Sequence, residues 1–117
     1  MFGLKSKRPY RQGDVFIEPV DEIPEEIEAV PLDVGRVVLA YGEVTGHAHA
    51  FDPEDSRHIQ HTRPKRRSEG NVTYLDIHRP VALKHEEHDP VPLPPGKYRV
   101  SPQHQWSEEQ ERQRVLD

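Results

Sequence analysis

The sequence contains no cysteine, so disulfides, thiolate metal sites, iron–sulfur clusters and cysteine nucleophiles are all excluded. Apolar residues are also scarce. Hydrophobic residues make up 32% of the 117 positions. Even with the seven glycines added, this share stays below the roughly 45–50% that is usual for globular proteins. The length suits one domain, and we expect its core to be small.

Long hydrophobic runs are missing as well. No stretch approaches the 18 or so apolar residues of a membrane-spanning helix. The basic start, MFGLKSKRPYRQGDV, is not followed by the apolar segment of a secretion signal. We therefore expect no membrane association and a cytoplasmic location.

Several functional motifs are absent too. There is no glycine-rich phosphate loop and no G-x-S-x-G, so nucleotide-driven and serine-hydrolase chemistry have no support. Aromatic residues make up only 7%, and the net charge is −5. This balance argues against nucleic acid as the partner.

Valine and proline, in contrast, are abundant. Twelve valines against seven leucines, with twelve prolines, favour strands over long helices. Short runs of strand-forming residues recur between turn signals, which predicts an all-β fold, a small single-domain β-barrel or sandwich of about six short strands. The predicted strands are 14–19, 36–41, 44–51, 71–77, 81–85 and 96–100.

The remaining segments are polar. Residues 52–70 are predicted to form a long mobile loop or an extended hairpin, and residues 1–12 a basic N-terminal arm. Ile23, Ile27 and Val30 have helical spacing, which predicts a helical turn from Pro24. A capping-box pattern at 107–110 predicts a short helix over 108–115 in the C-terminal tail, 107–117.

Charge is arranged in blocks. Residues 14–33 carry eight acids and no base, whereas residues 57–67 are rich in arginine and lysine. These blocks either attract one another within the fold or form a docking face for a charged protein partner. Exposed edge strands would also permit a homodimer.

The eight histidines are the most informative excess. If 44–51 is a strand, alternation places His47 and His49 on one face, with their Cα atoms about 6.6 Å apart. Two such imidazoles can converge on one divalent ion. The alternative is a pair of polar histidines on a half-exposed strand face.

A second cluster follows the strand over 81–85. Alternation there places His85 on the apolar side, where a buried imidazole needs a hydrogen-bond partner or a metal. Glu86, Glu87 and His88 add further donors at the next turn. Surface charge is the alternative role for the two glutamates.

Together the two clusters predict a metal site with ligands His47, His49, His85 and His88 or a carboxylate. Such a set suits Zn, Mn, Fe(II) or Ni, and leaves positions for water or substrate. Glu86 and Glu87 are the candidate catalytic bases. The leading hypothesis is metal-dependent chemistry on a small polar substrate, or metal-assisted binding.

Two other functions remain open. The chain can be a non-enzymatic interaction protein, encoded by a phage or a bacterium, in which the histidines only pack and hydrogen-bond. It can also be a metal-free nuclease that uses His47 or His49 with His85 as acid and base. The sequence does not decide whether the protein is an enzyme. We expect surface or packing roles for the other four histidines, His58, His61, His78 and His104.

The segment GEVTGHAHAFDPE resembles the first metal motif of cupins, and this resemblance would make His47, His49 and Glu54 ligands. In the second cupin motif a histidine follows a Pro-x-Gly turn. Here Pro94-Pro95-Gly96 supplies the turn, but Arg99 stands in the place of that histidine.

A broader resemblance rests on GEVTGHAHA, HEEH and PLPPGKYRV. These segments look like a group of short proteins of unknown function from bacterial and phage genomes. The resemblance covers most of the chain and implies no activity.

Overall fold

The computed structural model describes residues 8–102, apart from residues 43, 45 and 67–70. Over these residues the protein is all-β, as the sequence predicts, with ten short strands and one helical turn. The elements are β1 (Tyr10–Gln12), β2 (Val15–Pro19), β3 (Ile27–Ala29), β4 (Val38–Tyr41), β5 (Ala48–Ala50), α1 (Pro53–Ser56), β6 (Ile59–Pro64), β7 (Thr73–Ile77), β8 (Val81–Leu83), β9 (Val91–Leu93) and β10 (Gly96–Pro102).

Six strands form one antiparallel sheet in the order β1-β2-β10-β7-β6-β3. Alternation along the strands separates its two faces. Ile17 on β2, Leu75 on β7 and Val100 on β10 are completely buried, whereas their neighbours Glu18 and Arg99 reach solvent. The buried face carries the apolar side chains of the sheet.

Two antiparallel hairpins, β4-β5 and β8-β9, cover this buried face. Their apolar side chains, which include Val37, Phe51 and Leu83, belong to the same core cluster as those of the sheet. A bridge between Ala50 and Lys84, with both backbone hydrogen bonds formed, joins the two hairpins. The hairpins therefore form a second layer, in which the end of β5 lies beside the end of β8.

The structure corrects several details of the predicted architecture. The strands do not close into a barrel, and there are ten rather than about six in the described residues. The predicted helical turn from Pro24 is wrong, because Ile27–Ala29 forms β3. Glu28 lies directly opposite Arg63 of β6, and this pairing outweighs the helical spacing of the apolar residues.

Residues 53–64, within the predicted loop 52–70, form α1 and β6. Strand β6 pairs with β7 on one side and β3 on the other, so the extended-hairpin alternative describes this segment better than a loop. Tyr10–Gln12 of the predicted N-terminal arm forms β1 at the sheet edge. The rest of that arm, up to residue 7, and the predicted helix over 108–115 lie outside the described residues.

The charge blocks meet within the fold. The Arg63 guanidinium contacts the Glu28 carboxylate at 2.9 Å, and Arg99 contacts Glu18 at 3.0 Å. Both are pairs of directly opposite residues on neighbouring strands. The Glu28–Arg63 pair joins the acidic and basic blocks, whereas Arg99 lies outside both blocks. Each pair supports the register of its two strands. Within the described residues, no helix is long and apolar enough to cross a membrane.

His61 is a buried histidine of β6 whose Nε2 makes no hydrogen bond with any described residue. Burial, reinforced by the charge of Arg63, lowers the pKa of His61 to about 4 from the ordinary 6.5. The folded protein therefore holds this ring neutral, whereas the unfolded chain protonates it below about pH 6.5.

We predict that His61 makes the fold sensitive to acid. Because its folded pKa is depressed, its contribution to stability is complete above pH 6.5 and is lost as the pH falls towards 4. Between pH 7.5 and 5 the loss should be about 2 kcal/mol. Urea unfolding at both pH values should show that wild type loses more stability than His61→Leu, by about this amount, while the buried His49 contributes equally to the loss in both proteins. Equal losses in the two proteins would contradict the prediction.

The turn between Asp33 and Arg36 contains an unusual valine. Both backbone hydrogen bonds between these two residues are formed, and Val34 and Gly35 have φ values of 53° and 77°. Positive φ at both positions is typical of a type I′ turn, which favours Asn-Gly. Val34 is β-branched and 87% exposed, so it is strained there without gaining burial.

Val34→Asn should therefore stabilise the protein by about 1 kcal/mol, because asparagine tolerates the left-handed conformation. Thermal unfolding measures the effect. Leu32→Asn is the matched control: Leu32 is also exposed but does not have a positive φ, and its replacement should change stability little. A Val34→Asn variant no more stable than wild type would show that the turn relaxes around valine.

Candidate metal centre

The two hairpins bring the two histidine clusters together. His49 lies in the middle of β5 and His47 directly precedes it, while His85 to His88 follow β8. The Ala50–Lys84 bridge fixes this proximity, because it aligns β5 with the end of β8. The strand over 44–51 is shorter than predicted, but His47 and His49 still contact one partner, the ring of His85.

Four imidazoles form a contiguous cluster. The ring centroid of His85 lies 4.3 Å from that of His49, 4.7 Å from that of His88 and 5.7 Å from that of His47. The rings of His49 and His88 are stacked at 5.8 Å. His85 is thus the centre of the four rings, but only His47 and His85 of the four predicted ligands belong to the group of potential ligand atoms that converge among the described residues.

Glu86 joins the cluster through its carboxylate. One potential ligand atom each from His47, His85 and Glu86 lie within 4.8 Å of one another. The Ala48 backbone N–H donates a hydrogen bond of 3.0 Å to Glu86 Oε1. This bond, more than the neighbouring histidines, lowers the pKa of the Glu86 carboxyl. Glu86 is therefore a charged, positioned oxygen donor and suits a ligand role better than that of a base.

His49 is held on the buried side of the cluster by Gln12. The Gln12 Nε2 amide donates to the carbonyl oxygens of Leu83 and Asp89, both at 2.9 Å. Its Oε1 must therefore be the acceptor in the 2.8 Å contact with His49 Nδ1. This contact places the proton of the neutral ring on Nδ1 and leaves a lone pair on Nε2. Metal-binding histidines are commonly oriented by such a second hydrogen bond.

Burial keeps His49 neutral. It is 6% exposed, and burial, followed by the nearby His85 and His88, lowers the pKa of His49 to about 4. A neutral imidazole is the form that binds metals and accepts protons. His49 is therefore available for either role at neutral pH.

Glu87 contacts two of the histidines. Its backbone N–H donates a 3.0 Å hydrogen bond to His85 Nδ1, so the proton of the neutral His85 ring lies on Nε2. Its carboxylate Oε2 lies 3.5 Å from His47 Nδ1. Glu87 can thus orient His47 and still reach solvent.

Gly13 lies against the cluster and leaves room for it. It has a φ of 57°, and a Cβ at this position would lie 2.8 Å from His88 Nε2 and 3.1 Å from His49 Cε1. Any larger residue would displace an imidazole. The turn between β1 and β2 therefore forms one wall of the site.

Of the residues that the cupin resemblance brings into question, Glu54 and Arg99 lie outside the histidine cluster. The Glu54 carboxylate, in α1, contacts Arg57 and His58, and it is not part of the ligand group found among the described residues. Arg99 contacts Glu18 on the outer face of the sheet. His58 and His78 contact Glu54 and Asp76, respectively. His104 lies outside the described residues.

Sequence reasoning missed Gln12 and Gly13. Both precede the clusters by more than 30 residues, and neither residue type points to a metal site. A partial signal existed in the dipeptide Gln12-Gly13, which interrupts a run of charged and strand-forming residues. Only the pairing of β1 with β2 shows that the amide points inward.

The chain belongs to a family of domains of unknown function, DUF8820, which it matches over residues 11–103. The matched segment includes both histidine clusters, Gln12 and Gly13. No curated protein and no solved structure shows significant similarity to the chain.

We predict that Gln12 is essential to the order of the site. Gln12→Leu keeps a similar volume but removes three hydrogen bonds, which leaves His49 Nδ1 and the Leu83 carbonyl without their partner. The free energy of unfolding in urea should fall by about 2–4 kcal/mol. The His49 ring should also lose its fixed tautomer, which ¹⁵N NMR measures.

Gln60→Leu is the matched control, since Gln60 is exposed on β6, and it should change stability by less than about 0.5 kcal/mol. If Gln12→Leu were as stable as Gln60→Leu and kept the His49 tautomer, the assigned role of the amide would be wrong.

Proposed function

We propose that the histidine cluster binds one divalent metal ion and carries out metal-dependent chemistry on a small polar substrate. The ligands are His47, His85 and Glu86, with His49 Nε2 as the fourth donor. The observation that supports this is the convergence of ligand atoms from His47, His85 and Glu86 within 4.8 Å. His88 stacks on His49 and shields it.

The spacing suits a shared ion. Two ligands of one ion at about 2.1 Å each can be separated by at most about 4.2 Å. The atoms of His47, His85 and Glu86, which lie within 4.8 Å of one another, would therefore have to approach by up to about 0.6 Å, and His49 lies outside this group. Glu86 and His47 are not rigidly enclosed, since Glu86 is exposed and His47 half-buried. A set of imidazoles and one carboxylate without thiolate favours Zn, Mn, Fe(II) or Ni.

The proposed chemistry depends on the metal ion and on the acidic side chains that are not metal ligands. A bound divalent ion would polarise a substrate oxygen as a Lewis acid. Glu87 is then the carboxylate left free to accept a proton, because Glu86 is a ligand. Its position beside His47 Nδ1, with the carboxylate open to solvent, suits a general base.

A metal titration of the full chain tests the proposal. Metal-free protein without an affinity tag should take up one equivalent of Zn²⁺ or Mn²⁺, measured by calorimetry and by native mass spectrometry. His47→Ala and His85→Ala should each weaken binding by at least about tenfold, because each removes a ligand. The controls His58→Ala and His78→Ala, outside the cluster, should bind like wild type.

A second readout reports the geometry. His85 accepts a hydrogen bond from the Glu87 N–H, and binding a metal through either ring nitrogen must replace this bond or move the ring proton. The Glu87 amide resonance should therefore shift on titration. No uptake of Zn²⁺, Mn²⁺, Fe²⁺ or Ni²⁺ would overturn the proposal, as would equal uptake by the His47→Ala and His85→Ala variants.

The proton positions also favour a second candidate function, metal-free acid–base catalysis. His49 Nε2 carries a lone pair, His85 Nε2 carries a proton, and the two rings are 4.3 Å apart. Such a pair can accept one proton and donate another. It would retain its function in the presence of a chelator, which the metal-dependent site would not.

A further inference from the structure

A small groove opens beside the histidine cluster. It has a volume of about 250 Å³ and shares His85 and Glu86 with the proposed metal site. The small side chains of Ala48 and Ala50 line it and leave the space. Because this volume lies below the roughly 300–1,000 Å³ of typical ligand sites, its ligand must be a small molecule or one group of a larger molecule.

The half-buried Arg36, which forms no ion pair with a described carboxylate, lines the same groove. Asp33, directly opposite Arg36 in the turn, instead accepts a hydrogen bond from the Tyr41 hydroxyl. This bond raises the pKa of Tyr41 and engages Oδ2 of the Asp33 carboxylate. The fork of Arg36 is therefore available to a ligand.

The other charges in the groove are already compensated. Lys84 Nζ contacts Asp52 Oδ2 at 2.6 Å, and this hydrogen bond raises the pKa of Lys84. Glu86 is held by the Ala48 N–H and would face the metal. With Lys84 and Asp52 paired and a divalent ion beside Glu86, the groove is left with uncompensated positive charge at Arg36 and at the ion.

We propose that this groove binds a small oxyanion, a phosphate or a carboxylate group of the substrate. The group would lie between the Arg36 guanidinium and the proposed metal at His85 and Glu86, and the inference rests on that proposed function. Arginine binds planar and tetrahedral oxyanions through two parallel hydrogen bonds, and a divalent ion accepts a third oxygen. Substrates without such a group would not use Arg36.

Paramagnetic relaxation tests the proposal with defined probes. The full chain is loaded with Mn²⁺, and its Mn²⁺ affinity is measured separately by electron paramagnetic resonance. Inorganic phosphate is then observed by ³¹P NMR and acetate by ¹³C NMR. Wild type should broaden the resonance of at least one probe, and the more strongly broadened probe identifies the preferred group, phosphate or carboxylate.

Arg36→Gln should weaken this broadening by about tenfold, since a charge-assisted pair of hydrogen bonds is lost, while Mn²⁺ affinity stays unchanged. Arg36→Lys should retain part of it. Arg57→Gln is the matched control, because Arg57 is an exposed arginine of α1's C-terminal end that does not line the groove.

The outcomes separate the two proposals. If Mn²⁺ binds but neither probe is broadened, or if Arg36→Gln broadens both probes as wild type does, the oxyanion site is wrong and the metal site stands. If Mn²⁺ does not bind to wild type, the metal site is wrong, and the oxyanion site is overturned with it.

Discussion

The buried amide of Gln12 is the interaction on which the arrangement of the site depends. Its three hydrogen bonds reach His49 on β5, the Leu83 carbonyl at the end of β8 and the Asp89 carbonyl before β9. One side chain at the sheet edge therefore connects both covering hairpins. It also fixes the proton on His49 Nδ1. The same side chain therefore both connects the hairpins and determines which nitrogen of His49 is protonated. An apolar residue would fill the space but leave these groups without partners.

The scarcity of apolar residues explains why such polar crosslinks are needed. Strands of three to seven residues leave many backbone groups at their ends, and these need partners when they are buried. Ser56 has a role parallel to that of Gln12: its hydroxyl accepts the Val37 N–H and donates to the Phe51 carbonyl. Among the described residues, His61 Nε2 and the hydroxyls of Thr62 and Thr73 are exceptions, because these buried atoms have no hydrogen-bond partner. The second layer is thus held by polar contacts as well as by its core.

Alternation along single strands was enough to predict the all-β class, because it depends on local geometry. The predicted shared face of His47 and His49 is a different case, since His47 lies outside β5, although both rings contact that of His85. Alternation over 81–85 brought His85 into the predicted site, and the turn that follows brought His88, although β8 ends at Leu83. Strands β3 and β6 were not predicted, because their sequences are polar. They are stabilised by pairing with each other, for example through Glu28 and Arg63. Gln12 escaped prediction for a similar reason, since its partners Leu83 and Asp89 are 71 and 77 residues away. Contacts between distant segments determine the structure at these residues, and the periodicity of a local sequence does not indicate such contacts.

The cluster is asymmetric in burial, and this asymmetry determines what each residue can do. His49 is enclosed and its proton is fixed by Gln12, whereas Glu86, Glu87 and His88 are exposed. In the proposed metal site, His49 would be the rigid donor, whereas the exposed turn after β8 would supply donors that can move without disturbing the core. The same turn carries the Glu87 N–H, which donates a hydrogen bond to His85 Nδ1. A metal that binds at Nδ1 would therefore have to replace the Glu87 N–H. The position of the His85 proton is therefore the variable that separates a metal site from an acid–base pair.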